Sequence, residues 1–198
     1  MPAATYDAIV LAGGRSTRMG DVDKLGLLVD GRTLLSRACA AVADARRLVV
    51  VGPAGRPGLP DGIVSVQEDP PFAGPAAAMG AGLAALGAAA ADVVVVLAAD
   101  VPRAAEAVPV LLTALGDHPE RDGVVARSAD GRRQPLLAAH RRHPFAAALS
   151  AHEPLAHRSA TRILSGLDLL EVDLPDDVVA DVDTPADLHR LTEETHRG

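Results

Sequence analysis

Ile9-Val10-Leu11-Ala12-Gly13-Gly14-Arg15-Ser16-Thr17-Arg18-Met19-Gly20, followed by Asp21-Val22-Asp23-Lys24, is the stretch that decides the fold. It opens as a short apolar run of the kind that forms a strand buried on both faces. The paired glycines then stop the strand and allow backbone conformations and close approaches that a Cβ would forbid. Consecutive amides can thereby point at one phosphate chain. Arg15, Arg18 and Lys24 add charge-assisted donors within the same short span. A Gly-Gly pair after a strand is often only a turn, and the three cations are what favour a phosphate loop here. The segment fits neither Gly-x-x-x-x-Gly-Lys-Ser/Thr nor Gly-x-Gly-x-x-Gly, so the two best-known phosphate fingerprints are both excluded.

Outward from this loop, apolar runs bounded by Gly, Pro and Asp recur at Ala8 to Leu11, Leu48 to Val51, Ile63 to Val66 and Val93 to Leu97. They predict buried parallel strands. Thr33 to Ala43, Pro75 to Leu86 and Ala104 to Leu115 predict helices between them, the alternation of a doubly wound α/β sheet. Gly123 to Ala126 and Pro135 to Ala139 flank Ser128-Ala129-Asp130-Gly131, whose Asp-Gly pair favours a hairpin, so the sheet is expected to be mixed. Helices around Pro144 to Ser150 and Thr161 to Ser165 and a strand near Leu169 to Val172 follow. A closing helix from Pro185 to Thr192 starts on Thr184 as N-cap, with Asp187 as the acid of a capping box.

The chain has 198 residues, 48% of them hydrophobic, enough for one domain with a sizeable core. We expect a single unit, residues 1–198, with a nucleotide-binding half over about 1–103 and an acceptor-binding half over about 104–198. A net charge of -7 and only three aromatic residues, Tyr6, Phe72 and Phe145, argue against nucleic acid as a partner. The single cysteine, Cys39, permits no intramolecular disulfide and reads as a small core residue. No apolar run approaches the length of a membrane span and no signal peptide is evident, so a cytoplasmic protein without membrane contact is expected. Of the 19 Lys and Arg residues Lys24 alone is a lysine, although arginine serves everywhere else. A compact ammonium can sit between phosphates where a planar guanidinium cannot, which makes Lys24 a candidate for chemistry. His140 and His143, with two arginines between them and no third ligand nearby, read as a surface face rather than a metal site.

Asp100 follows the run Val93 to Leu97 and would emerge at the carboxyl end of a central strand, where ligands of open α/β sheets bind. A carboxylate there is a hard ligand suited to Mg²⁺, although an Asp can also simply open a turn before Pro102. Taken together, Leu11-Ala12-Gly13-Gly14, Arg18-Met19-Gly20 and Asp23-Lys24 resemble the signature of the molybdenum cofactor guanylyltransferase family. The resemblance implies a three-layer α/β/α nucleotidyltransferase fold, Rossmann-like, with a mostly parallel mixed sheet. It implies that Leu11, Ala12, Gly13, Gly14, Arg15, Lys24, Asp69, Gly74 and Asp100 contact the nucleotide, and that Arg18, Lys24 and Asp100 are catalytic. It places Mg²⁺ on Asp100 and on Asp183 of the closing Asp181-Val182-Asp183-Thr184-Pro185 segment, with Asp181 as the other candidate and helix capping as the competing role. Arg132-Arg133-Gln134-Pro135 falls where acceptor-side residues lie in that fold.

The resemblance further implies GTP as donor, molybdopterin as acceptor and passing contact with molybdoenzyme maturation proteins. Its Leu-Ala-Gly-Gly loop favours guanine over the Thr-Ala-Ala-Gly-like loop of cytidylyl-transferring relatives. A sister transferase using CTP or another phosphate acceptor is the nearest alternative, and a catalytically silent nucleotide-binding domain a second. Two departures stand out: Gly52 replaces an asparagine that would offer its side chain, and Ala76-Ala77-Ala78 follows Gly74-Pro75 where another glycine is common.

Overall fold

The computed structural model describes residues 5–13, 24–29, 31–184 and 186–187. Its frame is a seven-stranded sheet in the order β5-β4-β1-β6-β8-β7-β9. Here β1 is Tyr6–Leu11, β4 Leu48–Val51, β5 Val64–Val66, β6 Val93–Ala98, β7 Gly123–Arg127, β8 Arg133–Arg141 and β9 Leu169–Asp173. A two-stranded ribbon of β2 (Leu28–Val29) and β3 (Arg32–Thr33) stands apart from it. The first four strands are parallel, β8 is antiparallel to both β6 and β7, and β9 returns parallel to β7. The mostly parallel mixed sheet expected from the sequence is therefore present.

Both faces of the sheet are covered, which explains why the central strands β1, β4 and β6 are largely apolar instead of alternating, whereas β5, expected to be buried, is an edge strand with Val64 53% exposed. Ala8 and Val10 of β1 share one core with α1 (Leu34–Ala41), α3 (Ala104–Asp117) and α6 (Asp176–Val179). Ile9 and Leu11 share the other with α2 (Pro75–Leu86), α4 (Arg142–Ser150) and α5 (Ala160–Leu164). Helix α2 lies very close to β1, because a Cβ on Gly82 would stand 2.5 Å from Ile9 Cγ2. Thr33 caps α1 through its hydroxyl, which accepts from the Ser36 amide at 3.0 Å.

Boundaries shift by a few residues from expectation, most at β8, which begins two residues earlier at Arg133 and runs to Arg141. The ribbon and α6 are too short to carry a periodicity and were not anticipated. Of the closing helix only Ala186 and Asp187 are among the described residues, but its start signal is formed. Asp187 Oδ2 accepts from the Thr184 amide at 2.8 Å while Thr184 Oγ1 accepts from the Asp187 amide at 3.3 Å. Cys39 is buried, as expected, and burial pushes its thiol pKa up to about 11.

One expectation is overturned. His140 belongs to β8 and is 0% exposed, stacked on Phe145 with ring centroids 4.7 Å apart. The pair of histidines is therefore not a surface face: only His143 is exposed. The strand period of two sends His140 to one face of the sheet and Ala139 to the other, and both faces are covered here, which an i, i+3 helical reading misses. Room for the ring is made by Gly123 on the paired strand, where a Cβ would meet His140 Nδ1 at 2.7 Å.

Candidate active site

The register of the parallel strands brings three loops to one place. Leu11 is aligned with both Val51 and Ala98, so Gly13 and the Ala99-Asp100 turn leave the sheet side by side. The Ala99 amide donates to Leu11 O at 3.0 Å and the Ala12 amide to Val51 O at 2.7 Å, locking the strand tips together. Gly52 follows β4 against this junction. A Cβ there would stand 2.6 Å from Ala12 O, and its amide already donates to Val66 O at 2.8 Å. An asparagine side chain here does not fit without a backbone shift, and the Gly52 amide is not spare.

A cavity of about 740 Å³ opens at this carboxyl edge. Leu11, Gly13, Gly74 and Asp100 line it from one side and Gln134, Pro135 and Asp181 from the other. Gly74 holds φ +94, a conformation that disfavours a side chain, and hands the chain to Pro75 at the first turn of α2. Phe72 (φ 61) and His157 (φ 60) are the non-glycine residues with left-handed backbone among those described, and both line the cavity. Strain of this kind collects at binding sites. The two segments are tied by the His157 amide, which donates to Ala73 O at 2.6 Å.

Lys24 opens a 3₁₀ turn, Lys24–Gly26, anchored by the buried Leu25. Its ammonium donates to Asp100 Oδ2 at 2.7 Å and to Asp183 Oδ1 at 3.0 Å, with only 12% of the side chain exposed. Burial pulls its pKa down, but the charges and hydrogen bonds of Asp100 and Asp183 outweigh that, and the net direction is up. Asp181 and Asp183 flank the buried Val182 in an extended stretch, so the two acids share a side while Val182 enters the core. The Val182 amide donates to Asp100 O at 2.9 Å, which holds this stretch against the tip of β6. Arg103 pairs with Asp177 of α6 and with Glu106 of α3, fastening the segment from behind.

Carboxylate oxygens of Asp100, Asp181 and Asp183 lie within 4.8 Å of one another. Desolvation first, then repulsion from Asp183 and Asp100, raises the pKa of Asp181. Three hard oxygen donors that repel each other fit a divalent cation such as Mg²⁺. The sequence left Asp181 and Asp183 as alternatives; the structure brings both to Asp100.

Other sequence candidates are placed differently. Ala12 is buried in the strand junction, and Asp69 is exposed and does not line the cavity. Its neighbour Glu68 does, and is buried. Gly14, Arg15 and Arg18 lie outside the described residues. Arg133 is committed to Glu171, whereas Gln134 and Pro135 reach the cavity. Sequence reading missed Glu68, Phe72 and His157. For Glu68 the signal available was an acid two residues past a short strand; no local pattern marks His157.

The MobA-like NTP transferase domain profile matches residues 8–171. A molybdenum cofactor guanylyltransferase from Acidiphilium cryptum is 44% identical over 50 residues, 25% of this chain and 26% of that protein, so the match spans about a quarter of that relative's length. A molybdopterin-guanine dinucleotide biosynthesis protein A from Archaeoglobus fulgidus superposes with TM-score 0.71 at 20% identity, covering 97% of this chain and 100% of the other. A 4-diphosphocytidyl-2C-methyl-D-erythritol synthase from Anaerococcus prevotii superposes with TM-score 0.70 at 13% identity, covering 98% and 100%. Guanylyl- and cytidylyl-named proteins thus share the fold. With the profile covering most of the sheet and the strand-tip cleft, the chain belongs to the MobA-like NTP transferase family and is a nucleotidyltransferase.

Proposed function

We infer that this protein is a GTP:molybdopterin guanylyltransferase, joining GMP to the terminal phosphate of molybdopterin and releasing pyrophosphate. The observation that carries the reading is the convergence of Lys24 with Asp100 and Asp183 beside a cavity at the carboxyl edge of the sheet. That is where a ligand of this architecture binds. The partial identity to a guanylyltransferase and the Leu11-Ala12-Gly13-Gly14 loop support guanine. The donor half is residues 1–103 and the acceptor half 104–198, with molybdopterin entering past Gln134 and Pro135 and product passing to molybdoenzyme maturation proteins. GTP supply places the reaction in the cytoplasm; no helix among the described residues is long and apolar enough to cross a membrane.

The reaction is an in-line displacement. An oxygen of the acceptor phosphate forms a bond to the α-phosphorus as the bond from that phosphorus to the pyrophosphate oxygen breaks, and pyrophosphate leaves with its electron pair. No covalent step falls on the protein, so its task is positioning and charge neutralisation. Amides of Gly13 and Gly14 cradle the triphosphate, and Arg15, Arg18 and Lys24 neutralise its oxygens. Asp100, Asp183 and Asp181 would hold Mg²⁺, which would supply Lewis-acid neutralisation of phosphate oxygens. Lys24, hydrogen-bonded to Asp100 and Asp183, stands next to the cavity, where its ammonium can also reach phosphate. The apolar walls of the cavity exclude water that would otherwise compete with the acceptor.

Mixing the protein with GTP, Mg²⁺ and molybdopterin should release pyrophosphate in step with guanine dinucleotide. Calorimetric titration should find GTP bound more tightly than CTP. Tight CTP binding with weak GTP binding would replace the guanine assignment by a cytidylyl one.

A further inference from the structure

The chemistry just described leaves one buried acid of the cavity unused. Glu68 follows β5, is 4% exposed and lines the cavity beside Gly13. Its Oε2 is buried and has no hydrogen-bond partner. The other buried acid among the described residues is treated differently: Asp7, 0% exposed, accepts from Arg46 twice and from the Ala91 amide. A buried carboxylate oxygen left without a partner destabilises the free protein, and a ligand in the cavity that donates to it would remove that cost.

What that ligand must offer follows from the surroundings. Leu11, Gly74, Pro75 and Ala78 give the cavity apolar walls, which suit the faces of a flat ring. A Cβ on Gly13 would stand 3.5 Å from Glu68 Oε1, so the carboxylate overhangs the first residue of the glycine loop, at the nucleotide end of the cavity. A carboxylate has acceptors only and pairs best with two adjacent N–H donors. On its pairing edge guanine alone among the four bases presents such donors side by side, N1–H and the 2-amino group. Cytosine and adenine set a donor beside an acceptor, and uracil sets one N–H between two carbonyls, arrangements that leave one carboxylate oxygen facing a lone pair.

We propose that Glu68 reads the guanine ring of the donor nucleotide by accepting from N1–H and the 2-amino group, and is thus a specificity-determining residue. The proposal rests on the assignment of a nucleoside triphosphate to this cavity. It is tested by calorimetric titration of the full chain and of Glu68→Gln with GTP, ITP and CTP in the presence of Mg²⁺, together with thermal unfolding of both proteins.

In the unaltered protein GTP should bind about tenfold or more tightly than ITP, which lacks the 2-amino group. Glu68→Gln, which keeps the shape but turns one acceptor into a donor, should weaken GTP by about tenfold or more and bring the GTP/ITP ratio close to one. It should unfold at an unchanged or higher temperature, because an unpaired acid has been removed. An intact GTP/ITP ratio in Glu68→Gln, or a lowered unfolding temperature with GTP binding unchanged, overturns the role of Glu68 while leaving GTP as donor. Equal binding of GTP and ITP by the unaltered protein overturns the donor-pair contact even if the variant does not fold. Preference of the unaltered protein for CTP removes the guanine assignment and this proposal together.

Discussion

At the amino end of β1, Asp7 is fully enclosed, and every hydrogen bond it makes is internal: two from Arg46, at 3.2 and 3.1 Å, and one from the Ala91 amide at 2.7 Å. At the carboxyl end of the same central strands three aspartates crowd within 4.8 Å, with one ammonium shared between two of them, and Glu68 keeps an oxygen unpaired. The same residue types serve opposite ends. Where an acid stands alone with its donors it stabilises the fold; where acids crowd one another they store repulsion and desolvation that a cation or ligand relieves. The difference supports the carboxyl end of the sheet as the place of the proposed chemistry.

The contrast can be broken most forcefully at the carboxyl end. Lys24→Ala and Asp100→Ala should each fold and yet turn over at least about a hundredfold more slowly, read as pyrophosphate release, since both remove charge stabilisation of the transferring group. Near-normal turnover in either would remove that residue from the mechanism. In the absence of nucleotide, Lys24→Ala should also bind Mn²⁺ more tightly than the unaltered protein, because the ammonium no longer competes for Asp100 and Asp183. Electron paramagnetic resonance of free Mn²⁺ measures this directly.

At the amino end the expected sign is reversed. Asp7→Ala leaves the Ala91 amide without an acceptor inside the protein and should cost about 2 kcal/mol in urea unfolding, with turnover little changed. A large loss of turnover at unchanged stability would mean that the two ends are not separable in this way.

Acid pH probes a third place, the core behind β8. Burial lowers the pKa of His140 to about 4, and neither of its ring nitrogens has a hydrogen-bond partner. The unfolded chain therefore binds a proton near the ordinary histidine pKa while the folded one stays neutral. Stability is full above pH 6.5 or so and falls as pH drops through the window to about 4, by roughly 2 kcal/mol between pH 7 and 4.5 from this group. His140→Leu should flatten that part of the profile in urea melts at the two pH values. The smallest effect is expected on the solvent side of β8. Arg133→Ala breaks an exposed pair with Glu171 and should move stability by no more than about 0.5 kcal/mol.

Sequence reading and structure part company along physical lines. The parallel strands and the helices α1, α2 and α3 were legible because short apolar runs and longer Ala/Leu-rich segments alternate along the chain between Gly, Pro and Asp; α2 begins and ends where expected, at Pro75 and Leu86. Among the site residues Lys24 stood out by composition and Asp100 by its place after a buried strand. The two-residue ribbon strands carry too little pattern to be seen. His140 was misplaced because its environment is made by Gly123, seventeen positions earlier, and by Phe145 on the following helix.

What the chain order determined alone was an α/β sheet with a glycine-paired loop after its first strand and an acid after its fourth long one. These depend on neighbours in sequence, through strand period, turn chemistry and capping. Only the tertiary structure decided that Lys24 meets an acid 159 residues away, that Asp181 and Asp183 both face Asp100, and that Glu68, not Asp69, is enclosed in the cavity. Those facts follow from strand register and from the Val182 to Asp100 backbone bond, and no local rule contains a distance between segments that the fold alone brings together.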